Sequence, residues 1–230
     1  METLVLITPP AVEPITLDEF KTHCRAISSA DDDYISNLVI PGLRDAVESE
    51  LKRALVTQTW LYKLDGFPGL DPRYESSWYA EIRLPKPPLQ SIVSFTYIDT
   101  AGVLQTLQLC NADGTAPNGQ FYGYQLDPGS ETQPARLLPP WAKPWPPNRR
   151  MPAAVQIRFI AGYGGPVTDN TQSPPVTAWG PNPIPHAIKM AMLHWGAHAY
   201  DNRWGVMADN LKEVPRGITT LLSPYYNRTA

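Results

Sequence analysis

Residues 16–60 decide the fold. They begin with Thr16-Leu17-Asp18-Glu19 and end with Thr57-Gln58-Thr59-Trp60, and the spacing of apolar side chains changes between the two. The opening tetrapeptide fits a capping box, in which threonine and glutamate side chains accept the first backbone N–H groups of a helix. The closing tetrapeptide is rich in threonine and tryptophan, which favour strands. The stretch therefore predicts helices that give way to a β-region.

Two apolar stripes of helical period lie inside this stretch. The first consists of residues spaced three and four apart, namely Leu17, Phe20, Cys24 and Ile27. The second runs from Tyr34 to Leu55 for about six turns. Pro41 interrupts the second stripe, because proline removes one backbone hydrogen bond and crowds the carbonyl four residues back. We expect a kink or a split in the second helix at that point.

Between the stripes lies the acidic run Asp31-Asp32-Asp33. A calcium loop would need alternating ligands, a glycine and a distal glutamate, and that frame is absent from the sequence. Carboxylates are favoured at a helix N-terminus by the macrodipole. We interpret the run as the start of the second helix.

From residue 57 to residue 162 apolar and polar residues alternate with a period of two, which is typical of strands. The strand-like segments are 57–65, 79–84, 92–98, 103–109, 120–126, 135–138 and 154–161. Asp99-Thr100-Ala101-Gly102 reads as a turn that joins two of them in a hairpin. We expect an antiparallel sheet or a small sandwich. The apolar run Leu4-Val5-Leu6-Ile7 predicts either an edge strand or an arm that packs on a neighbour.

Two proline-rich segments follow in the second half. Residues 139–147 combine Trp141 and Trp145 with prolines, and they form either a docking surface for a partner or a rigid loop whose tryptophans cover the sheet. Residues 162–183 are long for a loop of a compact domain, and such loops are usually functional or mobile.

Helix is predicted again from Pro185, and a short last helix from Pro215 to Ser223. His194 and His198 stand one turn apart, a spacing that zinc can use. The glutamate of the metalloprotease motif and a third ligand are both missing, so we interpret them as a structural or exposed pair.

Composition excludes several function classes. The chain has 230 residues and a net charge of −3, without a basic stripe for nucleic-acid binding. Cys24 and Cys110 do not form a disulfide framework, which fits a reducing cytoplasm. No membrane span, signal peptide, phosphate loop or nucleophile elbow is found in the sequence. We expect neither enzymatic activity nor a catalytic residue, and no cofactor and no metal.

Several strings resemble the head–tail connector proteins of long-tailed bacteriophages, also called adaptor or head-completion proteins. These strings, in chain order, are 14–19, the acidic turn with its helix, 53–60, 65–68, 82–89, 159–164, 185–189 and 200–203. Each string is weak alone, but their shared order is fairly specific. The resemblance implies an α+β fold, with a helical core from residues 1–56 and 184–230 and an inserted antiparallel β-region at 57–183.

The resemblance also implies a function. A connector of this kind forms a ring of about twelve identical copies beneath the portal protein. DNA passes through its lumen without specific binding, and a further neck or tail-completion protein docks on it. The protein would then be part of the virion neck, assembled in the host cytoplasm, with no membrane partner. Candidate partner contacts are Trp141 and Trp145 in the proline-rich loop, and Tyr225, Tyr226 and Arg228 in the tail.

Three alternatives stay open at the level of sequence. One is a neck stopper protein. Another is a carbohydrate- or host-binding β-module, which the 7 tryptophans and 11 tyrosines motivate. The third is an enzyme that uses His194 and His198.

Overall fold

Two units make up the chain, and each is built from segments that are distant in sequence. The computed structural model describes residues 1–68, 80–130, 133–164, 166–169, 176–179, 183–201 and 216–227. The β unit comprises Met1–Pro9 and Gln58–Gly162. The helical unit comprises residues 10–57 and, within the described part of the chain, residues from Tyr163 to Asn227.

The described residues of the β unit form two antiparallel sheets. Its strands are β1 (Glu2–Thr8), β2 (Gln58–Leu64), β3 (Ile82–Arg83), β4 (Leu89–Ile98), β5 (Leu104–Thr106), β6 (Gln125–Asp127), β7 (Arg136–Leu138) and β8 (Val155–Ala161). The larger sheet has the order β1-β2-β8-β4-β5, and the smaller one has the order β3-β7-β6. The predicted hairpin is confirmed, because β4 pairs with β5 across the turn after Ile98.

Side-chain alternation explains the position of the core in this unit. Along β8, Val155, Ile157 and Phe159 are buried, and the residues between them are not. In the adjacent β2, Tyr62 pairs with Ile157 and is buried on the same face. The period of two in the sequence therefore corresponds to a sheet with one covered face.

The N-terminal run Leu4-Val5-Leu6-Ile7 is an edge strand of the larger sheet. It belongs to β1, which pairs antiparallel with β2 and has a register shift between Leu6 and Thr8. Residues 1–9 thus belong to the β unit, whereas the sequence analysis assigned residues 1–56 to the helical core.

The helical unit begins as the capping box predicts. The N–H of Thr16 donates to Oε2 of Glu19 over 2.8 Å, and the N–H of Glu19 donates to Oγ1 of Thr16 over 3.1 Å. Helix α1 (Leu17–Cys24) ends at Arg25, whose φ of 55° is left-handed. The prediction that Ile27 continues the buried stripe is wrong, because the chain has left the helix before Ile27, whose side chain is almost fully exposed.

The interruption at Pro41 takes the form of a π turn. Helix α2 (Asp32–Tyr34) passes into a π turn at Ile35–Val39, and α3 (Ile40–Leu51) follows it. The N–H of Ile40 donates to the carbonyl of Ile35, five residues back. Pro41 therefore falls in the first turn of α3, where its missing N–H costs least.

The rest of the helical unit comes from the C-terminal part of the chain. It contains β9 (Pro166–Asp169), β10 (Val176–Trp179), α4 (His186–Asp201) and α5 (Arg216–Leu222). The prediction of a loop over 162–183 is wrong in part, since β9 and β10 pair antiparallel within it. Pro215, the predicted start of the last helix, lies outside the described residues. Within the described ranges, no helix has both the length and the hydropathy that a bilayer crossing requires.

The points where the chain leaves and re-enters the helical unit lie side by side. Val56 forms an isolated bridge with Tyr163, and Oγ1 of Thr57 donates to the carbonyl of Tyr163 over 3.2 Å. Nη1 of the fully buried Arg53 donates to the Tyr163 hydroxyl over 2.7 Å. The β-region is therefore an insertion whose two ends meet.

One core joins the N-terminal helices to α4 and α5. It contains Phe20, Leu43, Val47, Ile188, Met192 and Leu222, among other buried residues. At its edge, Nζ of Lys189 pairs with Oε1 of Glu19 over 3.1 Å. The predicted α+β class, with helices from both parts of the chain around a shared core, is confirmed.

Gly196 permits the closest approach within this core. A Cβ on Gly196 would lie 2.5 Å from Cδ1 of Leu43 and 2.5 Å from Cε2 of Phe20. Both neighbours are buried, so they have little space into which to move. Gly42, by contrast, has no atom within 4 Å of such a Cβ.

We predict that Gly196→Ala lowers the free energy of unfolding by about 1–3 kcal/mol, because the added methyl overpacks the core. The matched control Gly42→Ala should raise it by about 0.5–1 kcal/mol, since alanine has the higher helix propensity. Urea unfolding followed by circular dichroism measures both. Equal effects of the two substitutions would contradict this account of the core.

Candidate partner-binding surfaces

The C-terminal tail packs on the end of α3. The hydroxyl of Tyr226 donates to Oε1 of Glu50 over 2.7 Å, and the N–H of Asn227 donates to the carbonyl of Leu51 over 3.4 Å. The guanidinium of Arg53 lies 5.9 Å from the ring centroid of Tyr225. These three contacts define the tail surface, formed by residues 225–227 on the C-terminal end of α3.

The tail adds a hydrogen-bond donor at the end of α3. Lys52 adopts a left-handed conformation with φ of 51°, and the last carbonyls of a helix lack partners of their own within it. Asn227 supplies one such partner to Leu51. Burial, and then the hydrogen bond to Glu50, raises the pKa of Tyr226 to about 12, so this hydroxyl stays a neutral donor at physiological pH. Arg228, the third predicted tail contact, lies outside the described residues.

Trp145 is a core residue of the β unit. Its ring stacks on Phe67 with centroids 5.0 Å apart and an angle of 9°, and its Nε1 donates to the carbonyl of Ala80 over 2.6 Å. Its indole is buried, which corrects the interpretation of Trp145 as a partner contact. The alternative given for the proline-rich loop, a tryptophan that covers the sheet, describes Trp145.

Trp141, four residues earlier, has the opposite environment. It lies in a turn closed by a hydrogen bond from the N–H of Lys143 to the carbonyl of Pro140, and 76% of it is exposed. Nζ of Lys143 lies 4.3 Å from the ring centroid of Phe121, which is 58% exposed. Trp141, Phe121 and Lys143 form what we call the aromatic loop surface.

Phe121 was not among the residues expected from the sequence. Residues 120–126 were predicted as a strand, in which one face would be covered, but β6 begins only at Gln125. Phe121 therefore lies in a loop. Only the three-dimensional structure brings it to Lys143, because no local pattern relates the two positions.

The acidic run connects helices to one another. Oδ1 of Asp32 accepts from Nζ of Lys21 over 2.7 Å, and Oδ2 of Asp31 accepts from the Tyr200 hydroxyl over 2.7 Å. Asp32 and Asp33 occupy the first turn of α2, as interpreted from the sequence. The Asp31 side chain does not cap that helix but bonds to α4 instead.

Within the part of the chain that the structure describes, His194 and His198 of α4 do not form a metal site with a third ligand. The His194 ring packs edge-on against His23, with centroids 5.1 Å apart. Among the residues that the structure describes, no group of three or more His, Cys, Asp or Glu side chains is placed to hold a metal ion.

Comparison with solved structures identifies the fold. A chain in a structure described as the neck of an empty gene transfer agent particle, computed with C6 symmetry, superposes with a TM-score of 0.64 at 18% identity, over 99% of this chain and 97% of that one. The fold is that of a chain from a particle neck. A chain from the virion of a native gene transfer agent particle gives 0.62 at 19% identity, over 99% and 96%.

A third chain, from the neck of the native particle computed with C12 symmetry, gives a TM-score of 0.57 at 18% identity, over 100% of this chain and 97% of that one. No family model matches the sequence, and the comparison with curated proteins found no match. Because the three chains match almost end to end, the likeness covers both units and not a shared domain alone.

We predict different costs for the two tryptophans of the proline-rich loop. Trp145→Ala should lower the free energy of unfolding by about 3–5 kcal/mol, because it empties a buried site and leaves the Ala80 carbonyl without its donor. Trp141→Ala should change it by at most about 0.5 kcal/mol, as is usual for exposed positions. Chemical denaturation measures both, and a large cost for Trp141→Ala would show that its ring is covered in the folded protein.

Proposed function

We propose that this protein is a structural, non-enzymatic component of the neck of a phage-like particle, where identical copies form a ring at the head–tail interface. The observation that carries the proposal is the end-to-end likeness to chains of gene transfer agent necks. Those necks were computed with cyclic symmetry, and cyclic rings of identical subunits are held by head-to-tail contacts.

The finer assignment is an adaptor that sits beneath the portal protein and offers a platform to the next neck or tail-completion protein. We propose a ring of about twelve copies. A twelvefold ring also has sixfold symmetry, so necks computed with C6 and with C12 symmetry are both compatible with that number. Localisation in the virion neck, after assembly in the host cytoplasm, follows from this role.

The charge of the chain suits a channel through which DNA moves. With 22 Asp and Glu against 19 Lys and Arg, acidic side chains outnumber the cations that could contact phosphates, and each phosphate contact strengthens DNA binding. DNA would therefore pass through the lumen without specific binding. A strongly basic lumen in the assembled ring would contradict this part of the proposal.

The exposed rings of Trp141 and Phe121 favour a docking role for the aromatic loop surface. Exposed aromatic side chains are frequent at the centres of protein interfaces. The same rings also suit the second candidate, a carbohydrate- or host-binding module. That candidate gives no role to the helical unit, so we rank it below the adaptor. A neck stopper protein is the alternative whose role is most similar to that of the adaptor.

We predict that the purified chain, alone or together with the portal protein of the same particle, forms closed rings. Native mass spectrometry gives the copy number, and negative-stain electron microscopy shows the closure. Rings seen only with the portal protein support the adaptor role. A chain that stays monomeric under both conditions contradicts the proposed function.

The tail surface allows a second test of portal binding. Removing residues 228–230 should weaken co-purification with the portal protein and leave the melting temperature unchanged, because the contacts of Tyr225 and Tyr226 remain. Removing residues 225–230 should weaken binding and also lower the melting temperature. If the shorter truncation binds like the wild type, the last three residues are not portal contacts.

A further inference from the structure

Both edges of the five-stranded sheet lack a neighbour among the described strands. In the order β1-β2-β8-β4-β5, strand β1 pairs with β2 on one side only, and β5 pairs with β4 on one side only. On the outer side of such a strand, every second residue directs its N–H and C=O away from the sheet. An open edge of this kind is a template for pairing with another chain.

Apolar side chains accompany both open edges. On β1, Leu6 and Ile7 are each 42% exposed, and they lie at the register shift between Leu6 and Thr8. At the other edge, Val103 and Leu104 are 54% and 63% exposed. A strand laid along either edge would therefore cover apolar surface in addition to satisfying backbone groups.

The β1 edge carries little of the protection that exposed edges normally have. Natural proteins protect such edges with lysine, proline, inward-pointing charges or bulges. Strand β1 contains neither lysine nor proline, its one charged residue is Glu2 at its start, and Glu2 accepts a hydrogen bond from the Tyr62 hydroxyl. The register shift between Leu6 and Thr8 is the one irregularity along it.

We propose that the β1 edge of one copy pairs with the β5 edge of the next copy, so that the sheet continues from subunit to subunit around the ring. This inference rests on the proposed function. Every pairing in the sheet is antiparallel, so β1 and β5 run in the same direction, and the joint between two copies in the same orientation is a parallel ladder.

A second copy fits these edges better than an unrelated partner. Head-to-tail assembly needs two different surfaces on one chain that fit each other, and the two edges provide them. Pairing of β1 with β1 would stop at a dimer, and a strand from another protein would fill one edge and leave the second open.

The test uses two variants that each disable one edge. Leu6→Lys with Ile7→Lys places cations on β1, and Leu104→Lys places one on β5; each should weaken assembly by about tenfold or more. Met190→Lys is the matched control, because Met190 is 45% exposed on α4 and belongs to neither edge strand. All are assayed by native mass spectrometry under the condition in which the wild type forms rings.

Mixing the two edge variants gives the decisive measurement. A copy with an intact β5 edge and a copy with an intact β1 edge can make one joint, so the mixture should yield one-to-one heterodimers that grow no further. Because a misfolded variant could not pair in the mixture, heterodimers also establish that both variants are folded.

The outcomes distinguish a failure of the edge pairing from a failure of the proposed function. If the wild type forms rings and both edge variants form them equally well, the edge pairing is wrong and the proposed function stands. If the edge variants fail alone and no heterodimer appears on mixing, the edge pairing is also wrong. If the wild type forms no ring under any condition, the proposed function fails and this inference fails with it.

Discussion

The approach of α4 to α1 and α3 at Gly196 is the contact on which the helical unit depends. Phe20 and Leu43 come from the beginning of the chain, and Gly196 comes from near its end. The ion pair between Glu19 and Lys189 joins positions that are 170 residues apart. The core therefore closes only when two segments separated by the whole β-region meet. Closure entropy grows slowly with length, at about 0.6 kcal/mol per doubling, so a large insertion is compatible with such a core.

The junction at Tyr163 makes that insertion possible. Arg53 and Tyr163 bracket the β-region in sequence, and they are joined by a buried hydrogen bond of 2.7 Å. An inserted region whose ends lie together can vary in length and content without pulling the helices apart. The junction thus separates two tasks: the helices hold their own core, and the inserted strands are available for surfaces such as the aromatic loop and the open sheet edges.

Local sequence patterns predicted much of this fold, because the interactions behind them form between residues that are close in sequence. The capping box, the hairpin after Ile98 and the alternation in β8 each depend on residues close in sequence, and each is found. The pairing of β9 with β10 was missed because glycine and proline dominate residues 162–183, and both residues mark loops. The candidate site was harder to predict. Trp141 and Trp145 occupy similar proline-rich surroundings, and only contacts with distant residues such as Phe67 bury one and leave the other in solvent.

The π turn at Ile35–Val39 changes which side of the helix the apolar side chains occupy before and after it. An extra residue in a turn shifts all later side chains by about 100° around the helix axis. Ile35 is buried in the core, whereas Tyr34 and Leu38, which belong to the same apolar stripe in the sequence, are exposed. The π turn therefore keeps the apolar side chains of α3 facing the core, and it leaves part of the preceding apolar stripe exposed to solvent. The number of residues in that turn, as much as their identity, sets which apolar side chains the helical unit offers to its surroundings.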